Sequence, residues 1–195
     1  MTIRKLPPVL INQIAAGEVV DRPASIVKEL VENAIDAGST RVEIALENGG
    51  IDSIRVSDNG SGIAPEEIEL AVTPHATSKI AAEEDLAAIA SLGFRGEALA
   101  SIGSISHLIL TTRRFADESS VQIEVDGGSM SHPKPVAGNA GTKVEIKRLF
   151  FNTPARRKFL KSSRAETARV SEVVKRLASS HSDIGFTLIS GVHTL

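Results

Sequence analysis

The clearest hydrophobic pattern lies at residues 23–38. At about 100° per residue, Ile26, Val27, Leu30, Val31, Ala34 and Ile35 fill one arc of a helix. Pro23 suits the first turn, where its missing N–H is not needed. Gly38 suits the left-handed position that stops a helix. Glu29, Asn33 and Asp36 follow at i, i+4 and i+7 and share one stripe at the edge of that arc, while Lys28 and Glu32 are expected to point to water. The period then changes to two. Arg41-Val42-Glu43-Ile44-Ala45-Leu46 alternates as a strand, Asn48-Gly49-Gly50 turns, and Ile54-Arg55-Val56 returns as the second arm of a hairpin.

Further along, Pro65-Glu66-Glu67 marks a helix start and residues 72–82 have the weak periodicity of a loop. A helix is expected over 86–92, a break at 93–96, and a short helix over 97–102. Strands are expected over 105–112, 121–125, 143–147 and 184–189, with 127–141 a turn-rich connection. Pro154 begins a basic helix and a longer one covers 164–180. Helices and hairpins interleave, so the predicted fold class is α/β (α+β): a two-layer sandwich with helices on one face of a mixed, largely antiparallel sheet. Residues 1–22 form an arm too short for its own core, and 23–195 form one domain.

Composition narrows this only slightly. Of 195 residues, 42% are hydrophobic and 24% charged, and there is no Cys, hence no disulfide or thiolate chemistry. No apolar run approaches a membrane span and the amino terminus lacks a leader pattern, so a cytoplasmic protein (nuclear in a eukaryote) without membrane contact is the default. Charge is uneven. Residues 147–176 hold ten Lys and Arg against Glu166 and Glu172, a local +8 in a chain of net −2. Such a block fits a polyanionic partner, or is simply a solvated face.

Four stretches carry candidate chemistry. The Glu29/Asn33/Asp36 stripe sets a carboxylate and an amide one turn apart, a base and a metal ligand, or the polar face of an ordinary amphipathic helix. Asp58-Asn59-Gly60-Ser61-Gly62-Ile63 puts an acid at a strand end with two glycines that let a flat ligand approach, or is a plain turn. A calcium loop is excluded there for want of the remaining oxygen ligands. Gly93-Phe94-Arg95-Gly96-Glu97 opens a helix and suits phosphate, with hydroxyls and an ammonium from Thr77-Ser78-Lys79. Gly141-Thr142 touches phosphate or starts a strand. No G-x-x-x-x-G-K-[ST] run is present, and the five histidines lack metal-ligand spacing.

In combination these stretches resemble a known family. Glu29-x-x-x-Asn33-x-x-Asp36-Ala37, Asp58-x-Gly60-x-Gly62, Gly93-x-x-Gly96 and Gly141-Thr142 look like the ATP site shared by gyrase, the large heat-shock chaperone, histidine kinases and MutL. Gln13-Ile14-Ala15-Ala16-Gly17-Glu18-Val19, His75-Ala76-Thr77-Ser78-Lys79-Ile80, Gly93-Phe94-Arg95-Gly96-Glu97-Ala98-Leu99 and the run from Phe151 to Leu160 (FNTPARRKFL) narrow the resemblance to the MutL family of DNA mismatch-repair proteins.

The resemblance implies slow hydrolysis of ATP with Mg²⁺, used as a conformational switch in mismatch repair. It implies Glu29 as general base and Asn33 as the Mg²⁺ ligand. Asp58 would read the adenine amino group with room made by Gly60 and Gly62, and Asp36, Ile63 and Thr142 would border the nucleotide. Thr77, Ser78 and Lys79, with Arg95, Gly96, Glu97, Ala98 and Leu99, would form a lid over the triphosphate. Implied partners are DNA along the basic 147–176 segment, a mismatch-recognition protein, a downstream nuclease or helicase, and a second copy of the full-length protein. Pro74 departs from the family, which usually has Arg before this His. A second α/β domain supplying a lysine to the γ-phosphate, and a dimerisation region, would follow Leu195, so the chain is expected to be a nucleotide-binding fragment of weak or no activity by itself. An ATP-gated binding module without turnover and a kinase-type phosphotransferase are the alternatives.

Overall fold

The computed structural model describes Pro7, Ile14, Ala16, Gly17 and residues 20–76 and 97–195. Helix α1 (Pro23–Asp36) begins with Pro23 in its first turn, and Ile26, Val27, Leu30, Val31 and Ala34 are buried as the arc predicts. It ends in a left-handed cap. Gly38 has φ +71°, its N–H donates to Ile35 O, and the Ser39 N–H donates to Ala34 O. One side chain departs from expectation. Glu32 is only 6% exposed, and Lys28 Nζ lies 2.7 Å from Glu32 Oε2.

The hairpin follows as β1 (Arg41–Glu47) and β2 (Ser53–Asp58), antiparallel, with Ile44 opposite Val56. Its turn is a 3₁₀ segment, Asn48–Gly50. A second 3₁₀ turn, Pro65–Glu67, leads into α2 (Ile68–Ala71). Beyond residue 97 come α3 (Ala98–Ser104), β3 (His107–Arg113) and β4 (Ser120–Asp126). The expected loop 127–141 contains two short strands, β5 (Ser129–Met130) and β6 (Lys134–Val136), both paired to β4. Then come β7 (Gly141–Lys147), the single-turn α4 (Pro154–Arg157), α5 (Ser163–Ser180), β8 (Gly185–Ser190) and β9 (His193–Thr194). β3 starts two residues later than its hydrophobicity predicts. Ile105 instead caps α3, and its carbonyl accepts from the Phe150 N–H.

The described strands form one sheet in the order β5-β4-β3-β7-β2-β1-β8-β9, with β6 also on β4. All pairs are antiparallel except β1 with β8. Register aligns Leu188, Ile44, Val56, Val144, Leu110 and Ile123 in a row across six strands, all buried. Helices α1, α3 and α5 cover that face, and their inner residues join its strands in one core. Each fully buried aliphatic side chain there contributes roughly 1.5–3 kcal/mol of transfer free energy. The opposite face is charged, with Glu43 3.7 Å from Arg55 and Glu145 2.7 Å from Lys147. The predicted two-layer sandwich is the fold observed.

Candidate functional site

Asp58 is the last residue of β2. It lies on the core face, opposite Val42. Ser57 pairs with Lys143, which brings Asp58 beside Thr142 at the start of β7, and Thr142 pairs in turn with Thr112 of β3. An acid and two hydroxyls thus line up at one end of the sheet, just past the C-terminus of α1. The Asp58 carboxylate accepts the Gly60 N–H at 2.8 Å and the Ser39 hydroxyl at 3.1 Å. Burial pushes its carboxyl above the usual range, and the Gly60 N–H, Ser39 hydroxyl and Thr142 N–H offset this only in part. The carboxylate is thus fixed by protein donors in a largely buried position.

The loop after Asp58 is fixed from both sides. Asn59 accepts the Thr40 and Arg41 N–H groups, at 3.0 and 2.8 Å. The Ile63 N–H donates to Thr112 Oγ1 at 2.9 Å, and the Thr112 and Thr142 hydroxyls lie 3.1 Å apart. The two glycines answer to protein packing. A Cβ on Gly60 would meet Ser39 and Ala37 at the end of α1, and one on Gly62 would collide with the Arg113 backbone at φ +70°. The Cβ direction of each is thus filled by the chain itself. Ser39 and Thr112 were not anticipated. Ser39 follows a helix-stopping Gly, a weak signal, and Thr112 had none.

On α1, Glu29 and Asn33 are half-buried and Asp36 is exposed. The Lys28 Nζ also lies 3.6 Å from Glu29 Oε1. Burial lowers the Lys28 ammonium, but the hydrogen bond to Glu32 and the charges of Glu32 and Glu29 outweigh that and raise it. α3 packs beside α1, and Glu97, Ala98 and Leu99 stand half-buried at its head. The His75 Nδ1 lies 3.0 Å from Glu97 Oε1, so the positions on either side of 77–96 meet. Thr77, Ser78, Lys79, Arg95 and Gly96, and the expected helix 86–92, lie outside the described residues. The structure thus brings Asp58, Ile63 and Thr142 together just past the C-terminus of α1, the helix that carries Glu29 and Asn33, and packs α3 beside that helix. No group of three or more His, Asp or Glu able to hold a metal occurs among the described residues. The donors present, one amide and one carboxylate on α1, suit a hard cation that takes its remaining oxygens from phosphate and water.

The basic segment divides in two. Lys147 pairs with Glu145 and Arg176 with Glu172. Arg148 stacks over Phe151, 4.7 Å from the ring centroid. Asn152 Nδ2 donates to Ser104 O at 2.8 Å, which fastens this loop to the end of α3. Arg156, expected to face a polyanion, turns inward instead, where its guanidinium fills the space a Cβ on Gly17 would need. Glu166, fully buried, accepts the Lys161 N–H and pairs with Arg169 at 3.1 Å. Arg157, Lys158, Lys161 and Arg164 remain exposed, and none of them forms an ion pair among the described residues.

A family profile described as histidine kinase-, DNA gyrase B- and HSP90-like ATPase matches residues 22–150. The MutL mismatch-repair protein of Azorhizobium caulinodans is 57% identical over 190 residues, 97% of this chain and 30% of that protein. MutL of Xanthomonas oryzae pv. oryzae is 58% identical over 184 residues, 94% of this chain and 29% of that one. The chain thus spans about 30% of the length of these relatives. The ADP complex of the Aquifex aeolicus MutL ATPase domain superposes with a TM-score of 0.75 at 37% identity, covering 91% of this chain and 64% of that one. The N-terminal domain of a DNA repair protein gives 0.78 at 32% identity, covering 95% and 54%. The chain belongs to the histidine kinase-, DNA gyrase B- and HSP90-like ATPase family, and within it matches the ATPase region of MutL.

Proposed function

We propose that this chain binds Mg-ATP at the end of α1 and hydrolyses it slowly, as the nucleotide-operated switch of a DNA mismatch-repair protein. The observation that carries the reading is Asp58. It is an acid on the core face, oriented by Ser39 and Gly60, and in this reading it accepts the exocyclic amino group of adenine. Asn33 holds the cation together with phosphate oxygens, and the bound ion neutralises phosphate charge. Glu29, one turn earlier, takes the proton of the attacking water. Asp36, Ile63 and Thr142 border the nucleotide. Thr77, Ser78, Lys79 and Arg95 have the hydroxyl and cationic chemistry to meet the triphosphate, with Gly96, Glu97, Ala98 and Leu99 leading into α3. The ADP in the similar Aquifex domain supports this class of ligand.

The exposed part of the basic segment contacts DNA without sequence preference. The longer protein dimerises, works in the cytoplasm, and couples a mismatch-recognition protein to a downstream nuclease or helicase. Titration with a non-hydrolysable ATP analogue, with and without Mg²⁺, tests the site. Glu29→Ala is expected to keep analogue affinity and lose turnover, and Asn33→Ala to lose the Mg²⁺-dependent part of binding. Equal loss of binding in both variants removes the general-base assignment.

A further inference from the structure

Thr112 is buried on β3, with 1% of its surface exposed. Its hydroxyl meets three polar groups. It accepts the Ile63 N–H at 2.9 Å, donates to Gly141 O at 3.2 Å, and lies 3.1 Å from the Thr142 hydroxyl. A hydroxyl has one proton and two lone pairs. The Gly141 carbonyl can only accept and the Ile63 N–H can only donate, so the proton and one lone pair are committed. The remaining lone pair takes the Thr142 proton. The reverse, Thr112 donating to Thr142, would leave its oxygen 3.2 Å from the Gly141 carbonyl with no proton between them. Gly141 brings these groups together. At φ +108° a Cβ there would meet the Asp58 carbonyl and Asn59, so a residue without one lets β7 close on the end of β2.

We propose that Thr112 sets the purine specificity of this site by holding the Thr142 proton inward, so that the end of the sheet presents acceptors alone to the base. The inference rests on the reading of this site as a nucleotide pocket, and names what in it tells one purine from another. Thr142 is half-buried and stands beside Asp58, whose carboxylate already takes the Ser39 hydroxyl and the Gly60 and Thr142 N–H groups. Asp58 and Thr142 therefore each offer a ligand lone pairs and no proton. The 6-amino group of adenine has two protons to give. The 6-oxo group of hypoxanthine or guanine has none and meets oxygen on both sides, a mismatch that leaves polar groups unpaired. Thr112 itself does not touch the base. It is a positioning residue that acts through Thr142.

The test is calorimetric titration of the whole chain with ADP and with IDP in Mg²⁺. The two ligands differ only at the purine 6 position and in the N1 proton that accompanies the oxo group. The quantity read is the ratio of the two affinities, which does not depend on how much of a variant is folded. The parent is expected to prefer ADP. Thr112→Val frees the Thr142 proton to donate to a 6-oxo group, and is expected to lower that preference about tenfold, the size of one neutral hydrogen bond. Thr112→Ala shifts the ratio in the same sense, and Thr112→Ser, which keeps the hydroxyl, retains the parent ratio. On a Thr142→Val background, Thr112→Val no longer moves the ratio, because no proton is left to release. Thr112→Val that weakens both ligands equally, shifts the ratio just as far without the Thr142 hydroxyl, or behaves as Thr112→Ser does makes Thr112 a packing residue. Each of these results overturns the inference and leaves the nucleotide site standing. Equal affinity of the parent for ADP and IDP also overturns it, together with the role of Asp58 toward adenine. A parent that binds neither diphosphate removes the site itself, and the inference with it.

Discussion

The Ser39 hydroxyl lies 3.1 Å from Oδ1 of Asp58, joining the residue after the helix stop to the last residue of β2. It is one of the groups that hold the carboxylate in place while burial opposes its charge. Ser39→Ala removes a donor to the ionised form. Stability at neutral pH is expected to fall by about 1 kcal/mol, and the difference from the parent shrinks as pH falls through the raised folded-state value of Asp58, so that it is largely gone by the ordinary value of 3.8. Urea titrations at the two pH values measure it. ATP affinity should fall in parallel, because the acceptor loses its orientation.

Asp58 itself has a stability signature. Its carboxyl is raised in the folded chain, so between the ordinary and the raised value the native state holds more protons than the unfolded one. Stability contributed by this group therefore decreases as pH rises through that window. Asp58→Asn removes the effect. The variant is expected to gain on the parent across the window and to keep the gain at neutral pH, while losing ATP binding. Unfolding free energies of parent and variant that run parallel across that range would contradict a buried carboxylate here.

Lys28 and Glu32 form the one ion pair that the helix pattern misplaces. With Glu32 buried and Nζ at 2.7 Å, Lys28→Met leaves a carboxylate without its cation. A loss of about 1.5–3 kcal/mol is expected, whereas Glu32→Gln, which keeps an acceptor, costs less. The Lys28 ammonium is raised above its ordinary value of 10.5. Its contribution is therefore complete at neutral pH and fades only as pH climbs past that value. Chemical unfolding at pH 7 and pH 11 checks both size and sign.

Arg156 and Arg157 are adjacent in sequence and opposite in role. Arg156 packs its guanidinium on Gly17, while Arg157 is exposed. Arg156→Ala is expected to lower the melting temperature by several degrees, about 2–4 °C per kcal/mol lost, with duplex affinity unchanged. Arg157→Ala should leave the melting temperature in place and weaken DNA binding with a shallower salt slope. Calorimetry and anisotropy on the same two proteins separate them. Identical behaviour of the pair would mean that the inward turn of Arg156 has no consequence.

Periodicity and the helix start and stop residues determined the first helix and the hairpin of this protein. The arc of Ile26, Val27, Leu30, Val31 and Ala34, the Pro23 start and Gly38 stop of α1, and the alternation of Val42, Ile44 and Leu46 are local consequences of side-chain size and backbone freedom, and each is found where it is expected. Tertiary structure decided what the chain contacts across distance. The alignment of Asp58 with Thr142 and Thr112 depends on the order β3-β7-β2, which nothing in the spacing of residues 58, 112 and 142 encodes. The same is true of Gly60 and Gly62, whose missing Cβ atoms make room for the end of α1 and for β3, of Arg156 against Gly17, and of the buried Glu32 paired with Lys28. A periodic pattern states which side of an element is apolar. Only the packed layers state which polar groups lose their water, and those are the groups on which the chemistry proposed for this site depends.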